Sequence, residues 1–311
     1  MSKGAIAGGA LLGLTAIFLY DYLAESWVSI LEGPQSWNGA SLVGACLLYL
    51  IYYLYQGNQW RMILRDFGES VSLGVALKYY LTANLLAYIP GKIAAAAGVV
   101  ALAHREKISS WQMGGTWFCF QVYTLVSLGV VLVLGELVLE RTVLHLSTWW
   151  VVGITFAAAM ILVSPPVSSL VRRGLSRWLP QEPYLNKLSL PRHLWHVVVF
   201  SVSWGLKLGI FFLLFQALSE ERVGFEDGAV IGLLSLAGYL VGRLVFLVPA
   251  GLGVMETGIV VWLSTHYPQA FCTWYVSLFR VVTILVLVVS WLLVVMVRRS
   301  DAERASGDAQ G

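Results

Sequence analysis

Four charged residues sit inside long apolar stretches, where the chain offers them little water: Lys207, Arg243, Glu256 and Arg280. A fifth, Lys92, follows directly on a proline-glycine pair. A charge at such depth costs about 3 kcal/mol on insertion scales and usually faces a polar cavity or a partner. Four cations against one carboxylate leave surplus positive charge, and an anionic ligand such as a lipid phosphate would balance it. Two other readings stand beside this one. Glu256 pairs with Arg280 or Arg243 as a structural ion pair, and Lys207 and Lys92 snorkel toward headgroups. Thr273, Ser277, Arg280 and Thr283 form a polar stripe along the last apolar segment, suited to a transport path or to gluing helices together.

These charges gather around two backbone breaks. The first reads Tyr88-Ile-Pro90-Gly91-Lys92 and the second Pro249-Ala-Gly251-Leu-Gly253-Val-Met-Glu256. Proline ends the helical hydrogen-bond ladder, and the glycines let the backbone turn and approach a ligand. New helices are predicted from about Ile93 and about Val254. Their unpaired N–H groups and positive dipole ends would favour an anion. Irregular backbone at membrane depth is tolerated only where it is packed in protein or lines a cavity.

The elements that must hold these groups are membrane spans. The chain is 58% hydrophobic and 12% charged, with a mean hydropathy of +0.76, which excludes an ordinary soluble domain. Spans of about 20 residues are predicted at Ile6–Tyr22, Asn38–Tyr55, Trp111–Leu134, Leu146–Val163, His196–Gln216 and Ala270–Val297. Two more apolar stretches, Val71–Ala103 and Ala229–Thr265, contain the breaks. Each is short for two full crossings, so a re-entrant hairpin or two shortened, tilted helices is expected. No cleavable signal is expected at the N-terminus.

Cations fall on alternate loops: Arg61 and Arg65, Arg105 and Lys107, Arg172 to Arg192, then Arg298 and Arg299. Acidic residues such as Glu136, Glu140, Glu220 and Glu226 fall on the others. The positive-inside rule then puts both termini in the cytoplasm, in the inner (plasma) membrane, provided that each broken stretch returns to its own side. Three spans lie between the breaks, so the second unit is inverted. The two prolines are 249 − 90 = 159 residues apart. Sliding the chain by that offset places Tyr80 on Tyr239, Pro90 on Pro249, and Asn84 opposite Arg243. Matched broken segments in two halves point to a transporter's binding site. The expected architecture is an all-α polytopic membrane protein of six full spans and two broken re-entrant hairpins. It forms one membrane domain over residues 1–300, with inverted halves at about 38–163 and 194–297 and a polar tail at 301–311.

Pro90-Gly91-Lys92 with the basic turn His104-Arg105-Glu106-Lys107 resembles the first signature of the lysylphosphatidylglycerol synthase transmembrane family, the YbhN-like membrane proteins. Arg243 through Pro249 to Glu256, followed by Arg280, is similar to its second signature. The resemblance spans roughly Gly39 to Arg298. It implies a flippase that moves an anionic, phosphate-bearing or aminoacylated lipid between leaflets. Arg243, Glu256 and Arg280 would be its polar core, and Pro249, Gly251 and Gly253 its break. Family members often carry two glycines after the second proline, where this chain has Ala250-Gly251. The soluble aminoacyl-transferase domain of fused members is not expected here.

Nothing else in the sequence argues for an enzyme. No phosphate-binding loop, nucleophile elbow or zinc-protease motif occurs, and neither cofactor nor metal is expected. His193 and His196 read as interfacial, and Cys46, Cys119 and Cys272 as small buried hydrophobes. Trp37, Trp178 and Trp195 read as interface markers, and the basic loop Ser164–Arg192 as a surface for the inner leaflet or a cytoplasmic glycosyltransferase. Glycine pairs 205/209, 228/232 and 238/242 permit close packing within the chain or in a homo-oligomer. The candidate substrate-binding set is Arg243, Glu256, Arg280, Lys207, Pro249, Gly251, Gly253, Asn84, Tyr80, Tyr239, Pro90, Gly91 and Lys92. The expected ligand is a membrane phospholipid or polyprenyl-phosphate lipid, with no nucleic acid. The alternative functions are a non-catalytic partner of a lipid-linked glycosyltransferase and an intramembrane lipid-modifying enzyme that uses Glu256.

Overall fold

The computed structural model describes residues 37–88, 93–103, 108–139, 189–245 and 249–308, with a few isolated positions besides. The expected spans Ile6–Tyr22 and Leu146–Val163 and most of the Ser164–Arg192 loop lie outside the described residues. So do Pro90, Gly91, Lys92 and the His104–Lys107 turn.

The described residues form eight α-helices and no strand. In chain order they are α1 (Gly39–Asp66), α2 (Leu73–Leu86), α3 (Ile93–Ala103), α4 (Ser110–Leu139), α5 (Leu190–Leu218), α6 (Phe225–Leu244), α7 (Val254–Leu263) and α8 (Gln269–Asp308). A short 3-10 turn, Pro249–Gly251, lies between α6 and α7. Five of these helices, α1, α4, α5, α6 and α8, are long and apolar enough to cross a membrane. The chain is a multi-pass membrane protein.

Local sequence explains where the helices begin. The Asn38 side chain accepts the Ser41 N–H at 3.1 Å and caps α1. Ser72 caps α2 in the same way through Val75, and a proline occupies the first turn of α5. After α1 the chain turns at Gly68, whose φ of 87° suits glycine.

The order long helix, helix, break, short helix, long helix occurs twice, as α1 to α4 and as α5 to α8. Helix starts repeat at 254 − 93 = 161 and 269 − 110 = 159 residues. The arms flanking the first break have 14 and 11 residues, each short of a full span. Those flanking the second have 20 and 10. At 1.5 Å per residue the longer arm reaches about 30 Å, a full bilayer core. The two broken segments therefore differ in length.

Helix α1 has apolar side chains outside and polar aromatic ones inside. Val43, Leu47, Ile51 and Leu54 are exposed, as a lipid-facing stripe should be, while Tyr49, Tyr52, Tyr53, Gln56 and Trp60 are buried. Antiparallel to it runs α5, tied to it along its whole length. The Asn38 N–H donates to the Ala217 carbonyl at 3.0 Å. Farther along, Gln59 Nε2 donates to the Val199 carbonyl at 3.0 Å.

A partly buried polar clamp closes the far end of this pair. Asp66 Oδ1 accepts from Arg192 Nε at 3.1 Å and Nη2 at 2.7 Å, and Asp66 Oδ2 meets His196 Nε2 at 2.5 Å. His196 is fully buried and stacks on Tyr123, whose hydroxyl bonds His193 Nδ1 at 2.8 Å. The two histidines are thus not interfacial. Their ring nitrogens are the buried partners of an aspartate and a tyrosine on neighbouring helices.

The glycine pairs pack within the chain. A Cβ on Gly238 would come within 2.8 Å of the Ile259 backbone N, and one on Gly242 would meet Met255, so α6 and α7 lie nearly backbone to backbone. Gly228 and Gly232 face Phe212 and Leu208 of α5, and Gly209 faces Leu48 of α1, while Gly205 is open. Trp37 and Trp195 are exposed, as interface residues should be.

Replacing Asp66 by Asn removes the charge that holds Arg192 and His196 together. It should lower the unfolding free energy by about 2 kcal/mol, between the values for exposed and buried pairs. Denaturant unfolding of the detergent-solubilised chain would read this, and an unchanged midpoint would show that the clamp contributes nothing.

Candidate functional site

The two breaks meet. The Ala250 N–H, at the second break, donates to the Ala87 carbonyl, at the end of α2, with a length of 2.8 Å. Each broken backbone thus satisfies a polar group of the other, as irregular backbone in a membrane requires. Tyr88, one residue on, places its hydroxyl 3.5 Å from Nη1 of Arg280.

Glycine is needed at two points of the second break. Gly251 has a φ of 71°, and a Cβ there would lie 2.7 Å from the Gly242 carbonyl oxygen. Gly253 has a φ of 79° and caps α7 with no side chain. Ala250 also takes a positive φ, 47°, a conformation that costs a non-glycine residue about 1 kcal/mol. The residue that departs from the family's double glycine therefore still adopts a glycine-like backbone.

Where the breaks meet there is a cavity of about 120 Å³, to which all eight helices contribute. Three cations line it: Lys207 from α5, Arg243 from α6 and Arg280 from α8. Arg280 is 3% exposed. Its Nε donates to Glu256 Oε1 at 2.5 Å, and its Nη2 also contacts that oxygen. Of the two pairings open to Glu256, the structure makes the one with Arg280. Glu256 lies in the first turn of α7, so its carboxylate is also the negative charge nearest that helix's positive end.

Arg243 is held otherwise. Its Nη2 and Nε donate to the Tyr239 hydroxyl at 2.7 and 3.2 Å, and its Nη1 donates to Gln121 Oε1 at 3.1 Å. These are neutral acceptors, which orient the guanidinium.

Lys207 is 2% exposed, and its surroundings are aromatic. The Nζ lies 4.3 Å from the ring centre of Tyr49, 5.0 Å from those of Tyr52 and Phe279, 5.5 Å from that of Tyr239 and 5.7 Å from that of Phe211. Ring faces at these distances attract a cation. Nζ also donates to the Tyr49 hydroxyl at 2.7 Å. That hydroxyl lies 2.5 Å from Thr283 Oγ1, which donates to the Phe279 carbonyl at 2.7 Å. A hydroxyl has one proton, so the chain has a fixed direction: Lys207 to Tyr49, Tyr49 to Thr283, Thr283 to the backbone. Tyr49 can then only accept from Lys207.

Six of the predicted site residues line the cavity: Lys207, Arg243, Arg280, Tyr80, Asn84 and Tyr239. Glu256 joins through Arg280. Asn84 uses its amide to donate to the Tyr80 carbonyl at 2.8 Å, leaving its side-chain oxygen toward other partners. Pro249, Gly251 and Gly253 shape the turn without lining the cavity, and Pro90, Gly91 and Lys92 lie outside the described residues. Of the polar stripe on the last helix, Arg280 and Thr283 line the cavity, beside Phe279 and Leu287 of the same helix; Thr273 is exposed and bonds its own backbone. The sequence reading missed Tyr49, Tyr52, Tyr53, Gln121 and the cavity role of Tyr88. The signal was there, as tyrosines three and four residues apart on one face of a span.

The family profile described as Lysylphosphatidylglycerol synthase TM region matches residues 5–290. The chain belongs to this family. No curated protein matches the chain. Membership in the lysylphosphatidylglycerol synthase transmembrane family ties the chain to the work of membrane lipids, and the matched residues contain both breaks and every charged residue of the cavity.

The turn generates a paired prediction. Gly251→Ala forces a Cβ onto the Gly242 backbone and should destabilise the chain by about 2 kcal/mol or more. Ala250→Gly relieves the positive φ and should leave stability unchanged or raise it by about 0.5 kcal/mol. Thermal unfolding of both variants checks this; equal effects would contradict the assigned backbone.

Proposed function

We propose that this protein is a lipid translocase that moves a lipid with a phosphate-bearing headgroup between leaflets, the phosphate passing through the cavity at the two breaks. The observation that carries the reading is the charge of the cavity. Lys207, Arg243 and Arg280 face a single carboxylate, Glu256, among the described residues. Three cations in one enclosure repel one another, and a bound anion turns that repulsion into attraction. The cavity's size suits a headgroup, with the acyl chains remaining in the bilayer.

The position of the site supports transport. Lys207 is 17 residues from the start of α5 and 11 from its end (207 − 190 and 218 − 207), so the site lies well inside the membrane-spanning helices. The hydrogen bond from Ala250 to Ala87 joins the break regions of the two helix groups, where alternating access would pivot. The antiparallel course of α1 and α5, the first helix of each group, fits an inverted repeat with re-entrant segments. Both termini then lie in the cytoplasm and the basic loops on the inner face. Glu256 serves as the counter-charge of Arg280, and the chain carries out no chemical step on the lipid.

Reconstitution into liposomes with fluorescent phosphatidylglycerol tests the proposal. The chain should speed the appearance of label in the opposite leaflet. Arg243→Ala should slow it at least about tenfold, the loss of roughly 1.4 kcal/mol or more of binding to a charged group, and Arg243→Lys should recover part of the rate. Translocation that is indifferent to Arg243, Arg280 and Lys207 together would refute the phosphate site.

A further inference from the structure

We propose that the seam where α1, α4 and α5 meet is a gated path between the cavity and the end of the bundle at Asp66. In this structure an aromatic plug and the Asp66 clamp close it, and water enters it when it opens. This rests on the reading of the cavity as a transport site and adds the way a headgroup reaches it.

A continuous line of side chains joins the cavity to the clamp. Trp60 of α1 and Phe120 of α4 line the cavity, with ring centres 5.3 Å apart. Phe120 lies 5.1 Å from Phe200 of α5, and Phe200 lies 5.6 Å from Tyr123 of α4. Tyr123 stacks on His196 at 4.7 Å. His196 meets one oxygen of Asp66, and Arg192 holds the other. The Arg192 side chain is 38% exposed and that of His196 1%, so the line runs from the interior to the surface of the molecule.

Unpaired polar atoms mark the same seam. Gln56 Oε1, Gln59 Oε1 and Trp60 Nε1 of α1, Thr124 Oγ1 of α4 and His196 Nδ1 of α5 are buried and have no hydrogen-bond partner among the described residues. The three on α1 stand at i, i+3 and i+4, on one face of that helix, and Thr124 is one turn from Phe120 on α4. Leaving such atoms dry is costly, and nearly all buried polar groups find a partner. Five of them on three adjoining helices belong to a packing that exchanges with another, in which water or a passing headgroup supplies the missing bonds. The contacts that close the seam can part without breaking a helix, since they are ring faces and a clamp of three side chains. Helices α1 and α5 each begin one of the two helix groups, so their parting is the relative motion that alternating access requires.

Thiol labelling tests the gate, and the chain carries its own reporters. Cys119 is fully buried on α4, one turn before Tyr123 and on the same face. Cys272 is fully buried on α8, and its neighbour Phe271 packs on Phe215 at the other end of α5. A hydrophilic maleimide is applied to the full chain in nanodiscs, and each cysteine is read by peptide mass spectrometry. Asp66→Asn should speed labelling of Cys119 at least about fivefold and that of Cys272 less than about twofold, through the larger share of open molecules. Arg192→Gln, a milder change at the exposed end of the clamp, should give a rise of about twofold at Cys119. Thr124→Val keeps the side-chain shape and removes one unpaired hydroxyl. Its melting temperature should be unchanged or raised, while labelling of Cys119 slows by about threefold.

Cys119 labelling that stays level with Cys272 in every variant overturns the gate. An equal rise at both sites in Asp66→Asn does the same, because it reports a general loosening. Unchanged or faster Cys119 labelling in Thr124→Val, or a lower melting temperature, overturns the role of the unpaired atoms in opening. No lipid enters these measurements, so a failed gate leaves the phosphate site standing, and translocation indifferent to the cavity's charges leaves the gate standing.

Discussion

A cluster of like charges buried in a membrane protein must be compensated, and the arrangement of this chain follows from how it meets that demand. Three cations line one cavity, and each is held differently: Arg280 by Glu256, Arg243 by two neutral acceptors, Lys207 by aromatic faces and one phenol. The first contact cancels charge, and the hydrogen bonds to Tyr239, Gln121 and Tyr49 orient the other two groups. The cluster is the feature on which the proposed phosphate site is built.

Backbone geometry makes the cavity possible. The helices end before they would fill the centre of the bundle, and their broken ends satisfy one another through the Ala87–Ala250 bond. Gly242 and Gly251 allow the α6–α7 turn to close on itself, which brings Arg243 on α6 and Met255 on α7 to the same cavity, with Glu256 behind Arg280. From the other side α1 presents Tyr49 and Tyr52, held against α5 by hydrogen bonds from Asn38 to Asp66. The directional chain from Lys207 through Tyr49 and Thr283 to the Phe279 backbone then couples α5, α1 and α8 in one network. A change at the lysine is felt on three helices.

Much of this was legible in the sequence. Hydropathy located α1, α4, α5 and α8, and the proline-glycine pattern located the helix starts at Ile93 and Val254. Charge in apolar surroundings picked out Lys207, Arg243, Glu256 and Arg280, because a buried ionisable group is visible in composition alone. What escaped were contacts between segments far apart in the chain. Tyr49, Tyr52 and Tyr53 were not singled out, because tyrosine is common at the membrane surface and only the fold turns that face of α1 inward. Gln121 is one polar residue in a long apolar helix, and nothing local ties it to Arg243. The union of Asp66 with Arg192 and His196 spans more than 120 positions (192 − 66 = 126), a distance that periodicity does not bridge. The length of α6 also differs from a half-depth arm, since hydropathy did not register that helix and break divide Ala229–Thr265 unevenly.

The central claim is that the cavity between the breaks holds a lipid phosphate. A high-resolution cryo-electron microscopy map of the protein in nanodiscs containing phosphatidic acid tests it most directly. The account predicts headgroup density within hydrogen-bonding distance of Lys207 Nζ and the Arg243 guanidinium, with the Arg280–Glu256 pair intact beside it. Ordered lipid found only on the outer, apolar faces of α1 and α8, with the cavity holding water alone, would contradict it.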